Sequence, residues 1–338
     1  MPLARTPLLD ALAAPLRFPW LELRDRRAGR RLAPVQDRTA AIGPSDVLLV
    51  TCLRNERARM PAFADHYRRL GVGHFLVVDN DSSDGFMDWA RAQPDVSVWH
   101  TKASYRDSRF GMLWVNDLLR RHGRKRWCVV VDPDEFLVYP CMETRSLKAL
   151  GQFLEDDHRP CLHALLVDAY SDRPLTETRL GEGEDPFAVC PFFDRDGYLQ
   201  QESWGNSTWV QGGPRMRAHF ADRPEQAPAL NKIPFVRWKR FYHYNMSTHD
   251  AWPRRLNRAH AQNEVSTTGV LFHFKLVAGL AVKAAEEAVR GEHYAAGREY
   301  ARYREGGGAE FYAEGLSLRY EGSRQLVALG LMGPGRWF

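Results

Sequence analysis

The chain has 338 residues, 44% of them hydrophobic and 26% charged, with a formal net charge of +5. That length buries a full core and makes one large domain, or one domain with an appended module. A positive charge this modest and this evenly spread suits an anionic partner such as a nucleotide, a lipid surface or nucleic acid without choosing among them. The five cysteines (Cys52, Cys128, Cys141, Cys161 and Cys190) are odd in number and contain no C-x-x-C pair. They argue against a disulfide framework and a zinc site and suggest reduced, buried thiols in a cytosolic protein. No stretch approaches about 18 uninterrupted apolar residues, and no signal-peptide core precedes the cluster Arg24, Arg26, Arg27, Arg30 and Arg31. The expectation is a cytoplasmic protein that spans no membrane, with that basic cluster either a solvated face or a peripheral contact for anionic lipid.

From residue 47 to 136 short apolar runs alternate with helix-like segments, the pattern of β-α-β units and a largely parallel sheet. The runs cover 47–51, 75–78, 96–99 and 127–131. Between the first two, Pro61 suits a first helical turn, Phe63, Tyr67 and Leu70 recur at i, i+4 and i+7, and Gly71 can stop the helix. Between the last two, residues 110–122 carry Phe110, Leu113, Trp114, Leu118 and Leu119 ahead of Gly123. Three of the strands run into polar loops, in order Thr51-Cys52-Leu53-Arg54-Asn55-Glu56, Asp79-Asn80-Asp81-Ser82-Ser83-Asp84-Gly85, and Asp132-Pro133-Asp134-Glu135-Phe136. Ligands of open α/β sheets sit outside the carboxyl ends of the strands, so these loops are expected to line one crevice.

The loop chemistry suits a nucleotide. Carboxylates and amides accept from ribose hydroxyls and base N–H groups, which the second loop supplies in Asp79, Asn80 and Asp81, while Thr51, Arg54, Asn55 and Glu56 of the first loop are expected to face the same crevice. Three carboxylates within four residues at the end of an apolar strand repel one another and call for a cation, so Asp132 and Asp134 are candidates for a divalent metal. Each loop alone is also ordinary turn or helix-capping chemistry.

Leu49 to Glu56, Val77 to Gly85 and Val131 to Phe136 together resemble a family 2-type glycosyltransferase of GT-A fold, and more narrowly a bacterial branch akin to the family 92 galactosyltransferases. The resemblance is specific over residues 46–140 and looser beyond. It implies an α/β fold with a GT-A, Rossmann-like, mixed and mostly parallel sheet flanked by helices, and a C-terminal acceptor-side and helical extension. The implied organisation is an N-terminal extension (1–45), a glycosyltransferase domain (46–275, with a nucleotide-sugar half 46–140 and an acceptor half 141–275) and a helical extension (276–338). The implied activity is metal-dependent hexosyl transfer from a nucleotide sugar, a UDP-sugar foremost, to a glycan or lipid-linked glycan, with inversion favoured and no nucleic-acid partner. Asp132 and Asp134 would be the two aspartates of the D-x-D motif for Mn²⁺ or Mg²⁺, with Arg54, Glu56 and Asp79 against the nucleoside. No G-x-G-x-x-G follows the first strand, which removes the dinucleotide-binding fingerprint.

In the second half the parallel pattern is expected to fade. Gln201-Glu202-Ser203-Trp204-Gly205-Asn206-Ser207 resembles the acceptor loop of the related enzymes, with Trp204 either a platform for a sugar face or core, Gly205 beside it, and Glu135 a further acceptor-side candidate. Gly212-Gly213-Pro214-Arg215-Met216-Arg217 suits either a structural hairpin or a phosphate contact. By resemblance Lys232 approaches the diphosphate and His249 completes the metal site or contacts the leaving phosphate. Glu202 and Asp250 are candidate general bases for the acceptor hydroxyl. The segment 269–275 is expected to be a buried strand with His273 and Lys275 on one face, residues 276–290 a helix, another helix opening at 291, and the tail around Leu326 and Met332 a short helix packed back. Two other functions fit an acid-tipped α/β sheet: a nucleotidyltransferase that makes a nucleotide sugar, and a non-catalytic nucleotide- or sugar-binding module.

Overall fold

The computed structural model describes residues 7–203, 207–258, 266–278 and 310–337. The chain enters on a helix, α1 (Pro7–Gly29), followed by β1 (Ala33–Gln36), β2 (Val47–Leu53), α2 (Met60–Arg69), β3 (Val72–Asp79), α3 (Phe86–Arg91), β4 (Val96–His100), α4 (Met112–Leu118), β5 (Trp127–Val130), β6 (Glu135–Val138), α5 (Leu147–Asp156) and β7 (Cys161–Asp168). Then come α6 (Pro186–Val189), β8 (Phe192–Asp194), the paired β9 (Tyr198–Ser203) and β10 (Ser207–Gly212), α7 (Gly213–His219), β11 (Asn231–Arg237), β12 (His243–Tyr244), β13 (Ala251–Trp252), β14 (Gly269–His273), β15 (Ser317–Arg319) and α8 (Ser323–Ala328).

Among the described residues nine strands form one sheet in the order β1-β4-β3-β2-β5-β11-β7-β14-β6. The parallel pairs β2/β3, β2/β5, β3/β4 and β7/β14, with β11 antiparallel to both β5 and β7, make six strands run one way and leave β1, β6 and β11 opposed. The fold is therefore mixed α/β with a mostly parallel central sheet. Every residue of β2 is buried, as a strand covered on both faces requires. On one face α2 sets down Met60, Phe63, Ala64 and Tyr67 in a single stripe, and Gly71, at φ +94°, turns the chain into β3. On the other face α4 contributes Trp114, Val115 and Leu118 to a core with Trp238 and Tyr244. Helices flank both sides of the sheet, as expected.

Several local expectations are corrected. The helix expected over 110–122 begins only at Met112, because Arg109, Phe110 and Gly111 all adopt positive φ. The Gly212-Gly213 segment opens a helix, α7, with Pro214 in its first turn, and forms no hairpin. The parallel pattern, expected to fade from Cys161 onward, is extended there by β7 and β14. The helices expected from 276 and 291 lie outside the described residues, apart from 276–278. The tail does form a short helix, and Leu326 and Met332 are buried.

One connection shapes the rest. β5 and β6 are consecutive, with only residues 131–134 between them, yet β11, β7 and β14 stand between them in the sheet. Five residue steps reach about 17 Å at most, while four strand spacings of a flat sheet amount to about 19 Å. The sheet must curl, and the acidic turn crosses its carboxyl edge from the centre to the far side.

The imidazole of His66, buried in α2, lies 3.0 Å from the Leu137 carbonyl of β6, and burial pushes it down to about 4. An unfolded histidine takes its proton near pH 6.5, so between 6.5 and 4 the unfolded state holds the extra proton and stability falls as the pH drops. The stability difference between wild type and His66→Gln, which keeps a donor for Leu137, is expected to shift against wild type by about 3 kcal/mol from pH 7 to pH 4. Denaturant melts at the two pH values measure it, and a constant difference would contradict a neutral buried imidazole.

Candidate active site

The three acids of the turn meet three different surroundings. Glu135 is buried, its carboxylate 2.8 Å from the Lys232 ammonium and accepting the Asp132 backbone N–H at 3.1 Å. Tyr67 fixes the same stretch by donating to the Glu135 carbonyl and accepting from the Leu137 N–H. Asp134 is partly exposed; its backbone carbonyl accepts from Phe274, and its carboxylate lies 3.5 Å from Nε2 of His273. Asp132 is the acid that water reaches most freely. Protein crowding around it, with repulsion from Glu135 and Asp134, nevertheless pushes its carboxyl up to about 7 against the pull of Lys232.

Cations from the second half of the chain answer these acids. β11 runs antiparallel to its neighbours, so its first residues arrive at the carboxyl edge of the sheet, where Lys232 is buried. Burial alone would lower the ammonium, but Glu135 and Asp132 outweigh it and hold the group above the ordinary lysine value. A second line runs along the ends of β7 and β14: buried Arg215 donates to Asp168 at 2.6 Å, and His273 Nδ1 lies 2.7 Å from the other oxygen of Asp168. Burial works against the imidazolium, yet Asp134 and Asp168 raise it to about 8. Asp168 is held below the usual carboxylate range, since Arg215 and His273 outweigh its burial. The chain Arg215–Asp168–His273–Asp134 ties one acid of the turn to two strand ends and to α7. The residues that complete it, Asp168 and His273, are 105 apart in sequence, and no local motif links them.

The β2 and β3 loops are laced together beside the turn. Arg54 donates to the Asn80 carbonyl at 2.9 Å, the Asn55 N–H to Ser82 at 3.0 Å, and the Ser83 N–H to the Asn55 side chain at 2.8 Å. Asn55 and Asp81 both take positive φ, at 54° and 63°, a conformation that Asn and Asp tolerate best among non-glycine residues. Asp79 is buried and accepts from the Ser82 N–H, and Asn80 reaches the Thr101 and Ala103 carbonyls. Glu56 pairs with Arg59 at 3.1 Å. Asp81 stands near His100, Lys102 and Arg54, which together overcome its small desolvation and lower its carboxyl. A cavity of about 60 Å³ opens where Thr51, Cys52, Tyr105, Phe110, Asp132 and Lys232 meet. Tyr105 and Phe110 carry no sequence signal for this position. The Thr51 hydroxyl, buried at this cavity, has no hydrogen-bond partner among the described residues.

Other candidates fall elsewhere. His249 has its Nδ1 2.6 Å from the Asn231 carbonyl, and burial together with neighbouring Lys232 holds the imidazole well below its ordinary value. It lines, with Asn231, Tyr198, Gln200 and His163, a larger cavity of about 370 Å³ on which Lys232 also borders. Among the described residues no three His, Cys, Asp or Glu side chains gather as a ready metal site. The donors do suit a hard divalent cation: two carboxylates two positions apart, with the Thr51 hydroxyl, unpartnered among the described residues, near Asp132, in a place where further ligands would come from diphosphate oxygens or water. Asp250 has both carboxylate oxygens engaged by Asn245 and Asn257, at 2.7 and 2.6 Å, and lines neither cavity. Glu202 is placed in β9 opposite Thr208; Trp204 and Gly205 lie outside the described residues. The five cysteines are unpaired, four of them buried. No helix among the described residues is long and apolar enough to cross a membrane.

No family model matches the chain, and no curated protein matches it significantly. Among solved structures it is similar to a 4-diphosphocytidyl-2C-methyl-D-erythritol synthase at 13% identity and a TM-score of 0.26, over 58% of this chain and 74% of the other. A likeness this loose carries no functional weight.

Proposed function

We propose that the crevice binds a nucleotide-sugar donor with a divalent cation and transfers the sugar, with inversion, to a glycan or glycolipid acceptor. The observation that carries this is the acidic turn itself, which lies across the carboxyl edge of the sheet beside the two laced loops with buried Lys232 against it. Sugar transfer leaves negative charge on the departing diphosphate, and fixed positive charge at that point contributes most to the rate. Lys232 supplies it from the protein. Asp132 and Asp134 would hold Mn²⁺ or Mg²⁺, which when bound neutralises diphosphate oxygens. Arg54, Asn55, Glu56, Asp79, Asn80 and Asp81 form the side of the crevice suited to the nucleoside. The acceptor hydroxyl needs a carboxylate base; Glu202 and Asp250 are the candidates, Asp250 with both oxygens accepting from asparagines.

Thermal-shift screening of nucleotide sugars, with and without Mn²⁺, tests this. A donor at a hundred times its Kd adds about 2.7 kcal/mol, so a rise of several degrees is expected only with donor and metal together. A response to a nucleoside triphosphate with a sugar phosphate, and none to any nucleotide sugar, would replace transfer with nucleotide-sugar synthesis.

A further inference from the structure

The C-terminal half of α1 and the segment 239–258 build one face in which aromatic and basic side chains alternate. Trp20 and Leu23 are 58% and 46% exposed and share an outer stripe of α1 with exposed Arg27, at i, i+3 and i+7. The Arg24 guanidinium lies 4.9 Å from the Trp20 ring. Arg240 lies over Phe18 and Arg255 over Phe241, each at 5.9 Å, and Phe241 is 42% exposed. Arg240 also reaches Glu22 at 3.6 Å, joining the two segments into one surface. Exposed Arg26, Arg31, Lys239 and Arg258 extend the basic character. The acids of these segments are engaged: Glu22 by Arg26 and Arg240, Asp25 against His243, Asp250 by the two asparagines.

Exposed tryptophan, phenylalanine and leucine side by side are costly in water, and such patches mark contact surfaces. Rings fringed by arginines match an anionic bilayer: the rings settle at headgroup depth while the guanidinium groups meet lipid phosphates. The same segment runs on to the crevice, since Met246, Ser247 and Thr248 line the cavity beside Asp132 and Met246 is 40% exposed.

We propose that the Trp20–Phe241 face docks on an anionic membrane surface and holds the mouth of the crevice at the headgroup layer, where it meets a lipid-linked acceptor. The choice of acceptor rests on the glycosyl-transfer reading; the docking does not.

Cosedimentation of the full chain with vesicles tests the docking. Phosphatidylglycerol–phosphatidylcholine vesicles are expected to bind the protein, pure phosphatidylcholine vesicles are not, and binding weakens as salt rises. Trp20→Ser with Phe241→Ser, and separately Arg27→Glu with Arg240→Glu, should each weaken binding about tenfold or more at unchanged melting temperature. Equal binding to neutral vesicles, no binding to anionic ones, folded variants that bind like wild type, or capture by heparin without capture by vesicles would each overturn the proposal. Donor, metal and acceptor are absent from the assay, so its failure leaves sugar transfer standing, and a failure of sugar transfer leaves the docking standing.

Discussion

Asp134→Ala is expected to remove metal-dependent donor hydrolysis and transfer, by on the order of a thousandfold, in a protein that still folds. The fold should survive because the side chain is 23% exposed, and because the contact that places the turn here is made by its backbone carbonyl with Phe274. His273 keeps Asp168 when Asp134 is gone. What the variant loses is one of the two carboxylate donors of the turn, where no third His, Cys, Asp or Glu ligand is already gathered among the described residues. Turnover with Mn²⁺, turnover after chelation and the metal-free melting temperature together check this. Undiminished metal-dependent turnover would sink the assignment of the turn as the metal site.

Lys232→Met is expected to cost about 3–5 kcal/mol of stability as well as activity, because it strips the counter-ion from a buried carboxylate. Lys232 is 5% exposed and the Glu135 side chain it meets is 2% exposed, with Asp132 and Asp134 close by to add repulsion. Adding Glu135→Gln removes the orphaned charge while keeping an oxygen for the Asp132 N–H, so the double variant should regain most of the stability. It should not regain turnover if the ammonium serves the departing diphosphate. Denaturant melts and donor turnover across the four members of the cycle separate the two roles. Full recovery of both in the double variant would reduce Lys232 to a partner of Glu135.

The first half of the sheet is legible in the sequence because its strands are short apolar runs separated by helices with one buried stripe. Residues 47–51 read as a strand and lie in one that runs on to Leu53, and Phe63 and Tyr67 point to the face that α2 buries. β11 resists the same treatment: Pro234 lies inside it, and proline in a run argues against a central strand. The sheet accommodates it where the pairing with β7 slips between Lys232 and Phe235. α4 is shorter than its periodicity suggests because three consecutive residues before it take positive φ, and backbone sign leaves no trace in hydrophobic spacing. Within the site, the acidic turn stands out as a cluster of like charges. Its answering groups do not, since Asp168, Arg215 and His273 are drawn together by the topology of the second half and each alone looks like an ordinary polar residue. The surroundings of His249 are hidden for the same reason: they include Lys232 and a backbone carbonyl that spacing does not reveal.

The crossing of the sheet by residues 131–134 sets an order of events on a nascent chain. The acids emerge during synthesis well before Lys232, and before the β14 strand that gives β6 its neighbour in the sheet. Until residue 232 is available, the turn has its mutual repulsion and none of its compensating charge, and His273 joins it later still. Long-range pairing of this kind is slow to form, so the acidic turn closes late. A chain cut short near residue 140 would hold the whole motif and the two laced loops, but neither Lys232 nor His273 to answer its charge.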